Sequence, residues 1–194
     1  MSPKRPHGNT YWVEPGRLLA GEYPGAPYGD AAVIKLREYL DAGVDYFVDL
    51  TEQGELEPYE DILHAEAAAR GKKVEYRRFP IRDGSTPKSP AQMCEILDVI
   101  ATALSKKATV YVHCLGGIGR TGTVIGCHLT RHGHAGEAAL ARLRELFAEM
   151  TKAKDRSLRS PENEDQKNWV RNWKEPAPPR RSSRRKKRRA APGT

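Results

Sequence analysis

The ten residues His113-Cys114-Leu115-Gly116-Gly117-Ile118-Gly119-Arg120-Thr121-Gly122 constrain this chain more than any other stretch. They follow an apolar, strand-like run from Thr109 to Val112. They precede Thr123 to Leu129, which reads as a helix closed by Gly133. A cysteine thus ends a strand, six residues before an arginine that opens a helix, with three glycines and no proline between them. Glycine tolerates positive φ, so such a loop can curl until successive amide N–H groups converge as an anion nest. The helix start adds its positive dipole end, which suits a phosphate or sulfate. Arg120 can hold two oxygens of one anion in its planar fork. Cys114 would sit in the same positive field, which favours the thiolate. A thiolate beneath a bound phosphoryl group is a nucleophile aimed at phosphorus.

Two plainer readings compete. Gly117-Ile118-Gly119-Arg120-Thr121-Gly122 matches the dinucleotide fingerprint G-x-G-x-x-G. That motif needs a second strand carrying an acid about 20 residues on, whereas Gly136 to Met150 is rich in Ala, Leu, Arg and Glu and reads as helix. A buried core thiol is a common fate for cysteine, but it leaves the arginine and the glycine spacing without a purpose. The anion-binding reading accounts for all of them.

His113-Cys114, five residues, then Arg120-Thr121 resembles the signature of the cysteine-dependent protein tyrosine phosphatase superfamily. The Leu-Gly-Gly-Ile-Gly filling is similar to that of small dual-specificity-type members, including the cyclin-dependent kinase-associated phosphatase group. The resemblance implies a phosphomonoester hydrolase working through a phosphocysteine intermediate, with a phosphorylated protein as substrate and neither metal nor cofactor. It implies that residues Leu115, Gly116, Gly117, Ile118 and Gly119 bind the substrate phosphate with Arg120. Within the same superfamily, an RNA 5′-phosphatase and a phosphoinositide phosphatase are alternatives. The absence of lysine from 115–119 weighs against the second. A non-catalytic phospho-binding module would tolerate loss of Cys114 or Asp83, and both are present.

Expelling an alkoxide or phenoxide requires a proton. Asp83 is the expected donor: it lies in a Pro- and Gly-bounded loop after a strand, 31 residues before Cys114, an interval that resembles the family's general-acid loop. Asp49 and Asp98 are weaker candidates. By resemblance, Thr121 donates to the departing thiolate, His113 organises the loop and tunes Cys114, and Gln166 places the hydrolytic water. Ser160-Pro161-Glu162 reads as a helix start with Ser160 as its cap. Cys94 and Cys127 read as packed apolar residues. His128, His132 and His134 read as solvent-facing, with no acidic or cysteine partner in a metal-ligand pattern.

Strand and helix alternation predicts an α/β fold, a central mainly parallel sheet flanked by helices on both faces. The strands are expected near 11–13, 17–21, 45–50, 73–79 and 109–112. Helices are expected over 31–41, with Ile34, Tyr39 and Leu40 among its apolar positions, over 57–70 and from Ser89-Pro90 onward, with three more near 120–132, 136–150 and 161–174. Residues 1–10 read as a flexible arm, 11–174 as a single phosphatase domain, and 175–194 as a Pro-rich and polybasic tail. The tail carries the charge. Of 33 basic residues, eight lie in 180–189, and the other 25 balance 25 acidic ones, so the net +8 belongs to this segment. Weak contact with nucleic acid or an anionic surface is expected there, without aromatic stacking. Scattered cysteines and a thiol nucleophile point to a reducing compartment. A cytoplasmic location is therefore expected, or a nuclear one in a eukaryote. No run approaches the ~20 apolar residues of a membrane span.

Overall fold

The computed structural model describes residues 3–26, 29–155 and 157–176. The polybasic segment 180–189, and with it the expected tail contacts, lies outside the described residues. Five strands form one sheet: β1 (Thr10–Glu14), β2 (Leu18–Gly21), β3 (Tyr46–Asp49), β4 (Glu75–Arg78) and β5 (Val110–His113). Their order is β1-β2-β5-β3-β4, with β1 antiparallel to β2 and every other pair parallel. The helices are α1 (Gly29–Asp41), α2 (Glu60–Ala69), α3 (Pro90–Ser105), α4 (Gly119–Arg131), α5 (Glu137–Phe147) and α6 (Glu164–Arg171). The expected class, a mainly parallel sheet with helices on both faces, is the one observed.

Central strands β3 and β5 are buried throughout. That matches the apolar character of both runs. Val48, Val110 and Val112 face a core completed by Met93, Ile96 and Ile100 of α3 and by residues of α4, α5 and α6. Phe47 and Tyr111 face the opposite core, beneath Leu36, Tyr39 and Leu40 of α1 and Leu63 of α2. Edge strand β4 is only half-buried on alternate residues, as the pattern of Val74, Tyr76 and Arg78 predicts. The helix α3 starts where Ser89-Pro90 directs: the Ser89 hydroxyl accepts from Gln92 N at 3.2 Å and proline fills the first turn.

Three expectations need revision. The cap of α6 is Asn163, not Ser160. Asn163 and Gln166 form a reciprocal capping box, and Ser160 Oγ instead donates to Ile118 O at 2.8 Å. Ile34, counted among the apolar positions of α1, is 61% exposed, because Leu36, Tyr39 and Leu40 set the buried face. His128 is buried rather than solvent-facing, since the chain brings it an acidic partner, Glu14 of β1, at 3.1 Å. The described part of the N-terminal arm is laid against the body. Trp12 Nε1 donates to Pro3 O, Thr151 N to Gly8 O and Lys152 N to Asn9 Oδ1, at 3.0, 2.9 and 3.1 Å.

Parallel pairing puts the carboxyl ends of β2, β5, β3 and β4 along one edge, at Gly21, His113, Asp49 and Arg78. The segments that leave those strands, at Glu22, Cys114, Leu50 and Phe79, therefore converge. Sites in sheets of this kind form at that edge.

Candidate active site

The loop from Cys114 to Ile118 is fastened from outside through its carbonyls. Leu115 O accepts from Tyr23 N at 2.9 Å and Gly116 O from Lys152 Nζ at 3.0 Å. Ile118 O accepts from Ser160 Oγ, and Cys114 O faces His113 Nδ1 at 3.4 Å. In a trans peptide the next N–H points opposite to the carbonyl. Tying the carbonyls outward therefore turns the amides of 115, 116, 117 and 119 toward the loop's interior. Among the described residues, the amides of Leu115, Gly116, Gly117 and Ile118 donate to no protein acceptor. Gly117 makes the curl feasible. Its φ is +70°, and a Cβ there would lie 2.3 Å from the carbonyl carbon of Gly21.

Arg120 opens α4 and is 1% exposed. Its Nη1 and Nη2 each bond one oxygen of Glu55, both at 2.7 Å, and Nη1 also donates to Ile81 O at 3.1 Å. Asp83 Oδ1 lies 2.8 Å from Nη2. Burial works against the guanidinium charge. The hydrogen bonds of Glu55, and the charges of Cys114, Glu55 and Asp83, outweigh it and hold Arg120 above its ordinary pKa. Glu55, in turn, is held below the usual carboxylate range, chiefly by the Arg120 hydrogen bonds. Arg120 Nε is buried without an acceptor among the described residues. The expected acid, Asp83, has a side chain 67% exposed, so it reaches the guanidinium from solvent.

His113 is fully buried next to Cys114. Tyr59 Oη lies 2.6 Å from its Nε2, and Asp49 Oδ1 lies 3.9 Å from its Nδ1. Burial lifts the Tyr59 phenol well above its usual pKa, so Tyr59 keeps its proton and donates it to Nε2. The Nδ1–H is then left for the carbonyl of Cys114. Burial also lowers His113 to about 4, only partly offset by Asp49, so the imidazole is neutral. Burial opposes ionisation of Asp49 as well, yet its interaction with His113 and the hydrogen bonds of Tyr76 and Thr51 keep its pKa below the usual range. Tyr76 Oη and the Thr51 amide and hydroxyl bond its oxygens, and Arg78 pairs with it at 3.2 Å. Asp49 thus supports His113 and is enclosed away from any leaving group. Asp98 pairs with Arg131 at 2.9 Å, outside this edge.

Thr121 is buried, and its hydroxyl has no partner among the described residues. Gln166 is buried too. Its Oε1 accepts from Glu162 N and Asn163 N, and its Nε2 donates to Ser85 O at 3.1 Å. A Cβ on Gly119 would lie 2.9 Å from that amide, so Gln166 packs directly on the loop. The second Nε2 proton remains for a water. All six expected side chains lie along this edge, although Gln166 is also committed to capping α6. A cavity of 1260 Å³ between β4 and α3, lined by Tyr46, Glu75, Cys94, Asp98 and Thr102, includes none of them.

Sequence reading missed Glu55, Tyr59 and Lys152. For Glu55 a signal existed: an acid beside Gly54 in the loop that leaves a buried strand at the sheet's carboxyl edge. Lys152 carries no comparable sign. It reaches Gly116 O from a 3₁₀ turn, Thr151–Lys154, and pairs with Glu22 at 2.7 Å.

The protein-family model described as "Polymorphic toxin system, DSP-PTPase phosphatase" matches residues 25–134, more than half of the chain. The chain belongs to that family. Among curated DSP-PTPase relatives, the dual specificity protein phosphatase CDC14AB of Danio rerio is 30% identical over 133 residues, 65% of this chain and 20% of that protein. The chain spans 38% or less of the length of the curated relatives it first matches. Kinase associated phosphatase (KAP), solved with its catalytic-site cysteine changed to serine, superposes with a TM-score of 0.61 at 23% identity. The match covers 79% of this chain and 83% of KAP, and it shows the shared fold. Tk-PTP in its active form gives 0.58 at 25% identity, covering 82% of this chain and 92% of Tk-PTP.

Proposed function

We propose that this DSP-PTPase-family protein hydrolyses phosphomonoesters through a phosphocysteine at Cys114, with phosphotyrosine, alone or with phosphoserine and phosphothreonine, as the substrate class. One observation carries the reading: a loop whose carbonyls are bound outward, whose amides lack protein acceptors, and which is flanked by the unpaired Nε of a buried arginine. The similarity to a dual specificity protein phosphatase of Danio rerio supports the dual-specificity class.

Chemically, the Cys114 sulfur attacks phosphorus while loop amides and Arg120 hold the three non-bridging oxygens. The P–O bond to the leaving group breaks, and Asp83 gives that oxygen its proton. Glu55 keeps the guanidinium in plane from behind. The Asp83–Arg120 contact must open as the phosphoryl group enters, since two anions would otherwise compete for Nη2. A protonated Asp83 at that moment removes the repulsion and arms the acid. In the second half, water held by Gln166 attacks phosphorus, Asp83 takes its proton, and the S–P bond breaks. Thr121 donates to the sulfur as its charge returns.

Hydrolysis of an aryl phosphate in the presence of chelator tests this. Cys114→Ser should abolish turnover. Asp83→Ala should slow it by about 10²-fold for a poor leaving group and by less for a good one. Turnover retained by Cys114→Ser would end the proposal. Phosphotyrosine and phosphothreonine peptides then rank the substrate class.

A further inference from the structure

At the far end of α4 from the phosphate loop, three side chains that catalysis does not use come together. His128 and His132 are four residues apart and so share one face of the helix. Glu14 joins them from the end of β1. One ligand atom from each lies within 4.8 Å of the other two, and Glu14 Oε1 is 3.1 Å from His128 Nε2.

Strand parity alone would send Glu14 to the other side of the sheet. Tyr11 and Val13 face the core under α4, and Trp12 faces the opposite core. The register of β1 on β2 shifts between Trp12 and Glu14, a bulge that places Val13 and Glu14 opposite a single residue. Bulges re-aim side chains, and this one brings Glu14 to α4. His132 is also prepared. Its Nδ1 lies 2.8 Å from His128 O, and donating there leaves the Nε2 lone pair outward, the tautomer that metal-ligating histidines adopt. Arg131, the adjacent cation, is paired with Asp98 and Glu175, which weakens its opposition to a positive charge here.

We infer that Glu14, His128 and His132 form a binding site for a divalent transition metal of the zinc class, completed by solvent, that fastens the β1–β2 hairpin to α4. Two imidazoles and one carboxylate are a known zinc donor set, and bonds of ~2.1 Å set ligand separations of ~3.4 Å. The Glu14–His128 edge is already near that value, and the His132 side chain is exposed and free to close the remainder. His128 lies nine residues beyond Gly119, ~13 Å along the helix, so the ion would not touch the reacting phosphoryl group.

The test uses the untagged full chain carrying Cys114→Ser, which removes the catalytic thiol as a competing ligand. After chelator treatment, zinc chloride is titrated by calorimetry and by thermal melting. One equivalent should bind, raising Tm by about 5 °C or more at a hundredfold excess over Kd. His132→Ala and Glu14→Gln should each weaken binding by at least the roughly 10–100-fold that loss of an outer partner costs. His132 is exposed, so its variant should fold. Cobalt should give visible d–d bands without a thiolate charge-transfer band. The inference fails if zinc does not bind stoichiometrically, if both variants bind as tightly as the parent, or if cobalt reports sulfur ligation.

Discussion

The two faces of the sheet are built from different chemistry. Under α3, α4, α5 and α6 the core is largely aliphatic, with Ile96, Leu97, Ile100, Val112, Val124 and Leu143 fully enclosed. Under α1 and α2 it is aromatic and wired by hydroxyls. Tyr59 bonds His113, Tyr39 bonds Tyr111, Tyr111 donates to Glu22 O, and Tyr23 donates to Glu57 O. The first face holds α4 in place and so aims Arg120. The second holds the backbone around Cys114 through His113 and Glu22. Aliphatic packing gives stability that tolerates repacking, whereas a buried polar network is costly if any member is lost. Damage to the first face should therefore appear as stability, and damage to the second, where it reaches His113, as activity.

The seam between the faces should be least tolerant. Gly117 abuts Gly21 backbone at positive φ, and backbone cannot retreat as a side-chain end can. Gly117→Ala should cost more than about 4 kcal/mol, in the range reserved for such failures. Soluble, fully active Gly117→Ala protein with an unchanged urea midpoint would contradict the close approach.

On the aliphatic face, Ile100→Ala should cost roughly 2–5 kcal/mol and leave kcat/KM intact at temperatures where the protein stays folded. A matching loss of kcat/KM at such temperatures would erase the proposed division of labour.

This division also marks what the sequence could tell. The loop from Cys114 to Arg120 was legible because its parts are contiguous: strand, cysteine, glycines, arginine, helix. The start of α3 was legible because Ser89-Pro90 acts locally. Tyr59 was not, since it meets His113 across 54 residues, and for Glu55 the local sequence marked the loop but not the meeting with Arg120, 65 residues away. For α6, two local signals competed, and the Asn163–Gln166 reciprocity won over Ser160-Pro161. Glu14 was hidden by a bulge that reverses strand parity, so its meeting with His128 has no counterpart in the pattern.

Acid should discriminate next. In the folded protein His113 titrates near 4, against 6.5 in the unfolded chain. Between those values the unfolded chain binds more protons, so stability is lost as pH falls from about 6.5 toward 4. The shift corresponds to on the order of 3 kcal/mol for a group this buried. His128, lowered likewise to about 4 by burial and His132, adds in the same direction. Urea midpoints measured across this range should decline steadily as pH falls. A flat profile would mean that His113 is charged in the folded state.

The smallest effect is the most discriminating. Tyr59→Phe removes one hydroxyl from the aromatic face and leaves His113 Nε2 without its donor. A buried unsatisfied group costs about 1–3 kcal/mol, and ordinary polar loss would end there. Here the loss has a second consequence. Without Tyr59, nothing reserves the His113 proton for Nδ1, and the Nδ1–H contact to Cys114 O can be lost to the other tautomer. That contact is one of the outward ties that turn the Leu115 amide inward. Tyr59→Phe should therefore lower kcat/KM for an aryl phosphate and move the acid limb of its pH profile. Tyr39→Phe is the matched control: its hydroxyl is as buried, but its partner is Tyr111 rather than His113. It should lose comparable stability with the profile unmoved. Equal kinetic behaviour in the two variants would show that the hydroxyls serve packing alone, and that the aromatic face governs activity no more than the aliphatic one.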